Sequence, residues 1–367
     1  MLLAAAAFIL WIVILLLPWR PWWVSEQWDP PESLVGESLA EVTVLIPARN
    51  EQQVIGKNLS AIIDQGPHHS IMVIDDQSTD STFEIAAQFN PRIEVLSSKP
   101  LPAGWTGKLW ALEQGRNRVN TPLVLLLDAD IELQPGVIAG LVKFMEEQSK
   151  DMVSLMALPP LNSWWERLLM PAFVYYFKML YPFSLANSSF KYVAAAAGGC
   201  ILIRAQVLEQ IGGFKNIGTS LIDDCQLAKE VKMAGFSTWL GLTHSAKSIR
   251  PYGGLSEIWN MVARTAYTQL NKSVGWLLLC TAIICLAYLV PLAALGLGQN
   301  AIWMGAATLS IMYLTYLPVL FYYRLSWLWA ITMPVVACLF LAMTWTSALR
   351  YWQGERMRWR GRTTFAQ

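Results

Sequence analysis

Residues 122–133 read PLVLLLDADIEL: six uncharged positions in a row, then two aspartates one residue apart. A short run that is apolar at every position and closes on polar residues is a strand buried on both faces, as at the centre of a parallel sheet. Earlier in the chain, Glu41 to Ala48 (EVTVLIPA) is a β-branched run stopped by Pro47 and a polar turn. Asn50 to Gly66 carries Ile55, Leu59 and Ile62 at helical spacing and ends at Gly66-Pro67. Ser70 to Ile74 reads as a second strand, and Ser78 and Asp80 offer caps for a helix through Gln88. Arg92 to Leu96 reads as a third strand and Trp110 to Val119 as a helix leading into PLVLLL. Strand alternating with helix predicts an α/β fold whose mostly parallel sheet is covered on both faces. In such sheets ligands bind beyond the carboxyl ends of the strands, so the polar residues there carry the function.

Those strand ends are acidic. The second strand closes on Asp75 and Asp76, the fourth on Asp128 and Asp130. Unpaired carboxylates crowded at the end of a buried strand repel and lose hydration, which costs several kcal/mol unless a cation compensates. Hard oxygen donors with no nearby His or Cys suit Mg²⁺ or Mn²⁺, shared with substrate phosphates. A third pair, Asp223 and Asp224, opens an amphipathic helix with Leu227, Val231 and Ala234 on one face. A carboxylate there is either a helix cap or a general base towards a substrate hydroxyl. Lys108 follows two glycines and precedes a helix, where it either balances a diphosphate or is merely exposed. Arg264 lies on an apolar helix, where a lone guanidinium calls for an anionic partner: a lipid headgroup or the same diphosphate.

Composition places this domain in a membrane protein. Of 367 residues, 54% are hydrophobic and only 14% charged, with 18 Trp and a net charge of +1. That excludes a disordered chain and a charge-dominated nucleic-acid binder. The five Cys show no short paired spacing, so neither a disulfide framework nor a zinc module is expected. Residues 1–19 carry no charge and lack a basic leader and a cleavage site, which predicts an uncleaved transmembrane anchor. Further charge-poor stretches lie within 274–349, and a basic tail occupies 350–367. Arg20 after the anchor, and Lys247, Arg250, Arg264 and Lys272 before the second apolar block, put the central domain in the cytoplasm. Arg350, Arg356, Arg358, Arg360 and Arg362 belong on the same side by that rule, which three C-terminal spans would violate and two would satisfy. Pro291 and Gly296-Leu297-Gly298 are where one segment could turn back, so the block is read as two or three spans. Residues 163–185 interleave Trp and Tyr with Glu166, Arg167 and Lys178, the pattern of an interfacial segment, or else a core helix of the domain.

The ordered set VLIPARNE (44–51), VIDDQSTDST (73–82), GKLWAL (107–112), DAD (128–130), AAAAGGCILIRA (194–205) and IDDCQLA (222–228) resembles the family-2 glycosyltransferases of GT-A fold. The likeness covers roughly residues 40–270, and the domain is set at 36–270. GWTGK, the Trp-rich segment after 160, MVARTAYTQL and the Trp-rich basic tail are similar to bacterial hopene-associated glycosyltransferases and, more distantly, ceramide glucosyltransferases. The resemblance implies that Ala48, Arg49 and Glu51 line a nucleotide pocket, with Asp75 or Asp76 reading the base. It implies Lys108 near the diphosphate, Asp128 on the ribose or metal, Asp130 on the metal, and Gly198 and Gly199 in an acceptor loop. Asp224, beside Asp223, would be the base. The family's Gln-x-x-Arg-Trp signature is degenerate: Arg264 matches, but Met261 and Thr265 replace its Gln and Trp, which argues for single transfer over polymerisation.

The expectation is therefore an inverting, metal-dependent transfer of one sugar from a nucleotide sugar to a lipid, hopanoid-like by resemblance. The site would be a bacterial inner membrane, with the domain facing the cytoplasm. Two alternatives keep the fold: a polyprenyl-phosphate acceptor, for which Lys229, Lys232 and Arg250 are candidate anion ligands, and a non-catalytic membrane scaffold.

Overall fold

The computed structural model describes residues 1–31, 34, 36–359 and 362–365. Arg360 and the side chains of Arg356, Arg358 and Arg362 in the expected basic tail lie outside the described residues. The chain forms two units. Glu26–Pro160 with Leu185–Pro251 make one; Met1–Ser25, Leu161–Ser184 and Tyr252–Gln367 make the other. The sheet unit thus starts before the expected residue 36, ends before 270 and leaves out 161–184. Its early start has a local cause: Gln27 bridges to Leu242, and Trp28 packs edge-on against Phe144.

Among the described residues the sheet unit holds eight strands: β1 (Val42–Ala48), β2 (Ser70–Asp75), β3 (Glu94–Ser97), β4 (Leu123–Leu127), β5 (Ile131–Leu133), β6 (Met152–Leu158), β7 (Cys200–Arg204) and β8 (Thr238–Ser248). They lie in the order β3-β2-β1-β4-β7-β6-β8-β5. β3, β2, β1 and β4 are parallel, as the alternating pattern predicts. β7 enters antiparallel beside β4, pairing Leu126 with Ile201, so the sheet is mixed from its centre onwards. Alternate residues feed two cores. Val44, Ile46, Val73, Leu125 and Leu127 face the helices Ile55–Ile63 and Val137–Glu147. Leu45, Met72, Ile74, Val124 and Leu126 face the helices Gly107–Arg116 and Asp223–Met233. Each fully buried Leu or Ile contributes about 1.5–3 kcal/mol, so the two-sided strands anchor the unit. Gly115 lets its helix lie close on the sheet, because a Cβ there would stand 2.8 Å from Ile74 Cδ1.

In the other unit, three helices among the described residues, Val274–Ala294, Gln299–Tyr322 and Trp327–Trp352, are long and apolar enough to cross a membrane. Pro291 does not turn the first one back: a π-helical stretch, Cys285–Leu289, lies just before it and the helix continues to Ala294. The N-terminal helix runs only from Leu2 to Leu16, 15 residues, stopping before Pro18. At 1.5 Å per residue it is shorter than a bilayer core of about 30 Å. It packs within its unit, Trp11 Nε1 donating to Ala287 O at 2.9 Å. Trp164–Leu180 is a helix of this unit too, opened by a Ser163/Glu166 capping box. Glu166 is buried, accepting also from the backbone N–H groups of Asn162 and Tyr252, and these bonds hold its carboxyl below the usual range against the cost of burial. Tyr175 of this helix bonds Thr315 and stacks edge-on with Tyr316, so the segment is not a core helix of the sheet unit.

Candidate active site

β2, β1 and β4 run in parallel and end along one edge, where Asp75 pairs with Ala48 and Asp128 follows Leu127. Two ion clusters stand on that edge.

The first centres on Lys108. Thr106 caps the Gly107–Arg116 helix by accepting from Leu109 N, so the helix starts earlier than its apolar pattern suggests and Lys108 sits in its first turn. Its Nζ lies 2.8 Å from Asp128 Oδ1 and 3.2 Å from Asp223 Oδ2. Lys108 is therefore not a solvated surface lysine. Burial works against its charge, but Asp128 and Asp223 outweigh burial and hold its pKa above the usual lysine range. Asp223 and Asp224 form the first turn of the Asp223–Met233 helix, where the helix dipole favours negative charge. Neither is the cap: that position is Ile222. Asp224 Oδ2 accepts from Gly198 N at 2.8 Å and Oδ1 from Cys225 N at 2.7 Å. Desolvation, then the charge of Asp223, pushes its carboxyl up to about 6, while Lys108 and the two N–H groups pull the other way. A Cβ at Gly198 would stand 3.3 Å from both Asp224 Oδ2 and Lys108 Nζ, a tight fit against both groups. A cleft lined by Lys108, Asp128, Gly198, Asp223 and Asp224 opens here over the apolar floor of Leu126 and Leu227.

The second cluster centres on Arg250. Its guanidinium pairs with Glu51 and, through Nε, with Asp130 Oδ2 at 3.1 Å. Nearby, buried Arg49 donates to Asp76 O and to Gln77 O at 2.9 Å, and lies 3.8 Å from Asp76 Oδ2. Asp76 is fully buried in that arrangement. Asp75 differs: Oδ2 accepts from Ser78 N at 3.1 Å, whereas Oδ1 is buried with no hydrogen-bond partner among the described residues. A buried acceptor left so costs about 1–3 kcal/mol until a donor reaches it. Of the two acids expected to read a base, Asp75 is the one with an acceptor to offer.

Asn58 joins the clusters, and its role was not anticipated from the sequence. Fully buried, it donates through Nδ2 to Asp128 O at 3.2 Å and Ile131 O at 2.6 Å, fixing the turn that presents Asp128 and Asp130. The available signal was a polar residue on the apolar Ile55, Leu59, Ile62 face. Of the other expected site residues, Ala48 is fully buried in the core, meeting the edge only through its carbonyl, which accepts from Asp76 N at 2.8 Å. Gly199 packs on Ile131 and its carbonyl accepts from Asp128 N. Arg264 is exposed at the end of the Leu255–Ala263 helix, in the other unit.

Seven carboxylates (Glu51, Asp75, Asp76, Asp128, Asp130, Asp223, Asp224) share three cations, Arg49, Lys108 and Arg250, so the edge is net negative. Among the described residues no three His, Cys, Asp or Glu side chains enclose an ion by themselves. Mg²⁺ and Mn²⁺ sites shared with a nucleotide need only one or two carboxylates, the phosphates and water supplying the rest. Asp128 and Asp130 meet that requirement in charge and donor type.

Residues 43–212 match the family model Glycosyl transferase family 2. A 4,4'-diaponeurosporenoate glycosyltransferase of Staphylococcus haemolyticus is 28% identical over 122 residues, 33% of this chain and 32% of that protein. The probable glycosyltransferase YdaM of Bacillus subtilis is 26% identical over 208 residues, 54% of this chain and 48% of its own. The chain thus spans less than half the length of each of these relatives. Among solved structures, the mannosyltransferase PcManGT of Pyrobaculum calidifontis, in complex with GDP-Man and Mn²⁺, shares the fold with a TM-score of 0.56 at 18% identity, over 96% of this chain and 99% of that one. The mixed, mostly parallel sheet with its acidic strand ends is a GT-A fold, and within it residues 43–212 form a domain that matches the family-2 glycosyltransferase model.

Proposed function

We propose that this chain moves one sugar from a nucleotide sugar to the hydroxyl of a lipid, with inversion, and that Asp224 is the base. One observation carries this reading: Asp224, held by the N–H groups of Gly198 and Cys225, lines a cleft beside a lysine that bridges two further acids, where burial pushes its carboxyl up. A base titrating near the working pH holds its proton-accepting form while remaining basic enough to use it. Asp224 takes the acceptor's proton as that oxygen bonds to the anomeric carbon. The bond from that carbon to the phosphate oxygen breaks, and its electron pair leaves with the nucleoside diphosphate. Lys108 offers the leaving diphosphate a cation, and because the charge grows in the transition state, that contact lowers the barrier. Asp75 Oδ1 suits a base N–H, and Arg49 shapes the adjoining turn through its bonds to Asp76 and Gln77. A Mg²⁺ or Mn²⁺ ion on Asp130 and Asp128 would supply Lewis-acid stabilisation of the diphosphate. The Mn²⁺ and GDP-Man in the PcManGT complex support that reading.

The lipid acceptor rests on three helices able to cross a membrane and on a relative named for 4,4'-diaponeurosporenoate. A hopanoid-like acceptor, a bacterial inner membrane and a cytoplasmic sheet unit complete the proposal, with the Trp164–Leu180 helix at the bilayer surface. An anionic polyprenyl-phosphate acceptor has less support, because Lys232 is spent on the carbonyls of Leu185, Phe190 and Val193, which leaves exposed Lys229 and the ion-paired Arg250 as its candidate anion ligands. The test is to incubate membranes containing the protein with labelled nucleotide sugars and analyse the extracted lipids by mass spectrometry. A lipid with one added hexose is expected, its formation falling about 10³-fold in Asp224→Asn. Turnover of that variant within about tenfold of wild type removes Asp224 from the base role.

A further inference from the structure

Arg250 lies two residues beyond the end of β8, and the backbone beside it is pinned, since Ile249 N donates to Asp130 O at 2.9 Å. Its guanidinium joins two carboxylates that arrive from different strands, Glu51 after β1 and Asp130 after β4. The Glu51 side chain is only 7% exposed, that of Asp130 20% and that of Arg250 24%. Two acids this sheltered need a cation between them, and the planar fork of arginine serves both at once. A divalent ion on Asp130 answers the same need, and two cations on one carboxylate repel, so the ion and the guanidinium compete for its charge.

We infer that Arg250 is the internal competitor of the metal: it holds Glu51 and Asp130 together until a divalent ion displaces it from Asp130. This rests on the reading of Asp130 as an ion ligand and goes beyond it, because it sets the sign of a mutational effect. A residue that merely braced the site would weaken ion binding when removed. A competitor strengthens it. Arg250 accordingly keeps intrinsic ion affinity low in the absence of donor, and the phosphates of an arriving nucleotide tip the exchange by adding ligands for the ion and a new anionic partner for the freed guanidinium.

The experiment is Mn²⁺ titration of the purified full-length protein in detergent, without nucleotide, with free Mn²⁺ read by electron paramagnetic resonance. Arg250→Gln, close in shape but uncharged, is expected to bind Mn²⁺ about tenfold more tightly than wild type. Arg250→Lys, which keeps a cation but loses the fork, is expected to fall between and guards against a folding defect in the first variant. Asp130→Asn is expected to weaken binding by about tenfold or more. If both Arg250 variants bind as wild type or more weakly while Asp130→Asn loses the ion, Arg250 is no competitor and the Asp130 site stands. If Asp130→Asn binds like wild type, the ion reading of Asp130 fails and this inference fails with it.

Discussion

The two ion clusters on the sheet edge use similar residues to opposite effect. Around Lys108, one flexible cation serves Asp128 and Asp223 and leaves Asp224 held by two backbone N–H groups, its carboxyl lifted towards neutrality. Around Arg250, a rigid fork ties Glu51 to Asp130 in a more closed arrangement. A point charge on a four-carbon stem can follow a departing phosphate, whereas a fork bonded to two acids resists moving until another cation replaces it. The contrast teaches that charge count alone does not assign roles. In the roles proposed for them, desolvation with too few cations tunes Asp224 as a base, and desolvation with a matched fork holds Asp130 in reserve.

That contrast can be broken at Lys108 first. Lys108→Met leaves Asp128, Asp223 and Asp224 without their shared cation, and the turnover number is expected to fall about 100-fold, roughly 2.7 kcal/mol of transition-state stabilisation. Steady-state kinetics check this; a loss under threefold would mean that Lys108 only neutralises its neighbours. A smaller effect is expected at Asn58, which holds the turn between the clusters. Asn58→Ala removes two buried donor bonds, and a loss of about 1–3 kcal/mol in unfolding free energy is expected, with turnover down about tenfold. Denaturant unfolding and kinetics on one preparation separate the two losses, and unchanged turnover would show that the turn keeps its shape without Asn58.

Much of this edge was legible in the sequence because its physics is local. PLVLLL could only be a central strand, and carboxylates set directly after such a run had to meet at its carboxyl end. The residues that complete the site come from far along the chain. β7 inserts antiparallel beside β4 more than seventy residues later, bringing Gly198 to Asp224, and no short-range pattern gives that pairing. Arg250 looked like one of several basic residues able to face an anion, since nothing near it in sequence names Glu51 and Asp130 as its partners. Asn58 was hidden within an otherwise apolar helical face. Helix ends were misread where a side-chain cap decides them, as at Thr106, and the N-terminal apolar run overstates its helix because Pro18 ends it. The three long C-terminal helices were visible, but their number depended on whether Pro291 breaks its helix, which neighbouring backbone geometry decides.

The proposed base is a carboxyl that burial pushes up towards neutral pH. The pH dependence of kcat/KM, measured for wild type and Lys108→Met, tests it most directly. The base form of Asp224 is lost as pH falls through about 6, so the wild-type profile is expected to drop with unit slope below that pH. In Lys108→Met, without the cation that favours the ionised form, the acidic limb is expected to move to higher pH. A profile flat down to about pH 4.5, or a limb that stays in place in the variant, would contradict the assignment of Asp224.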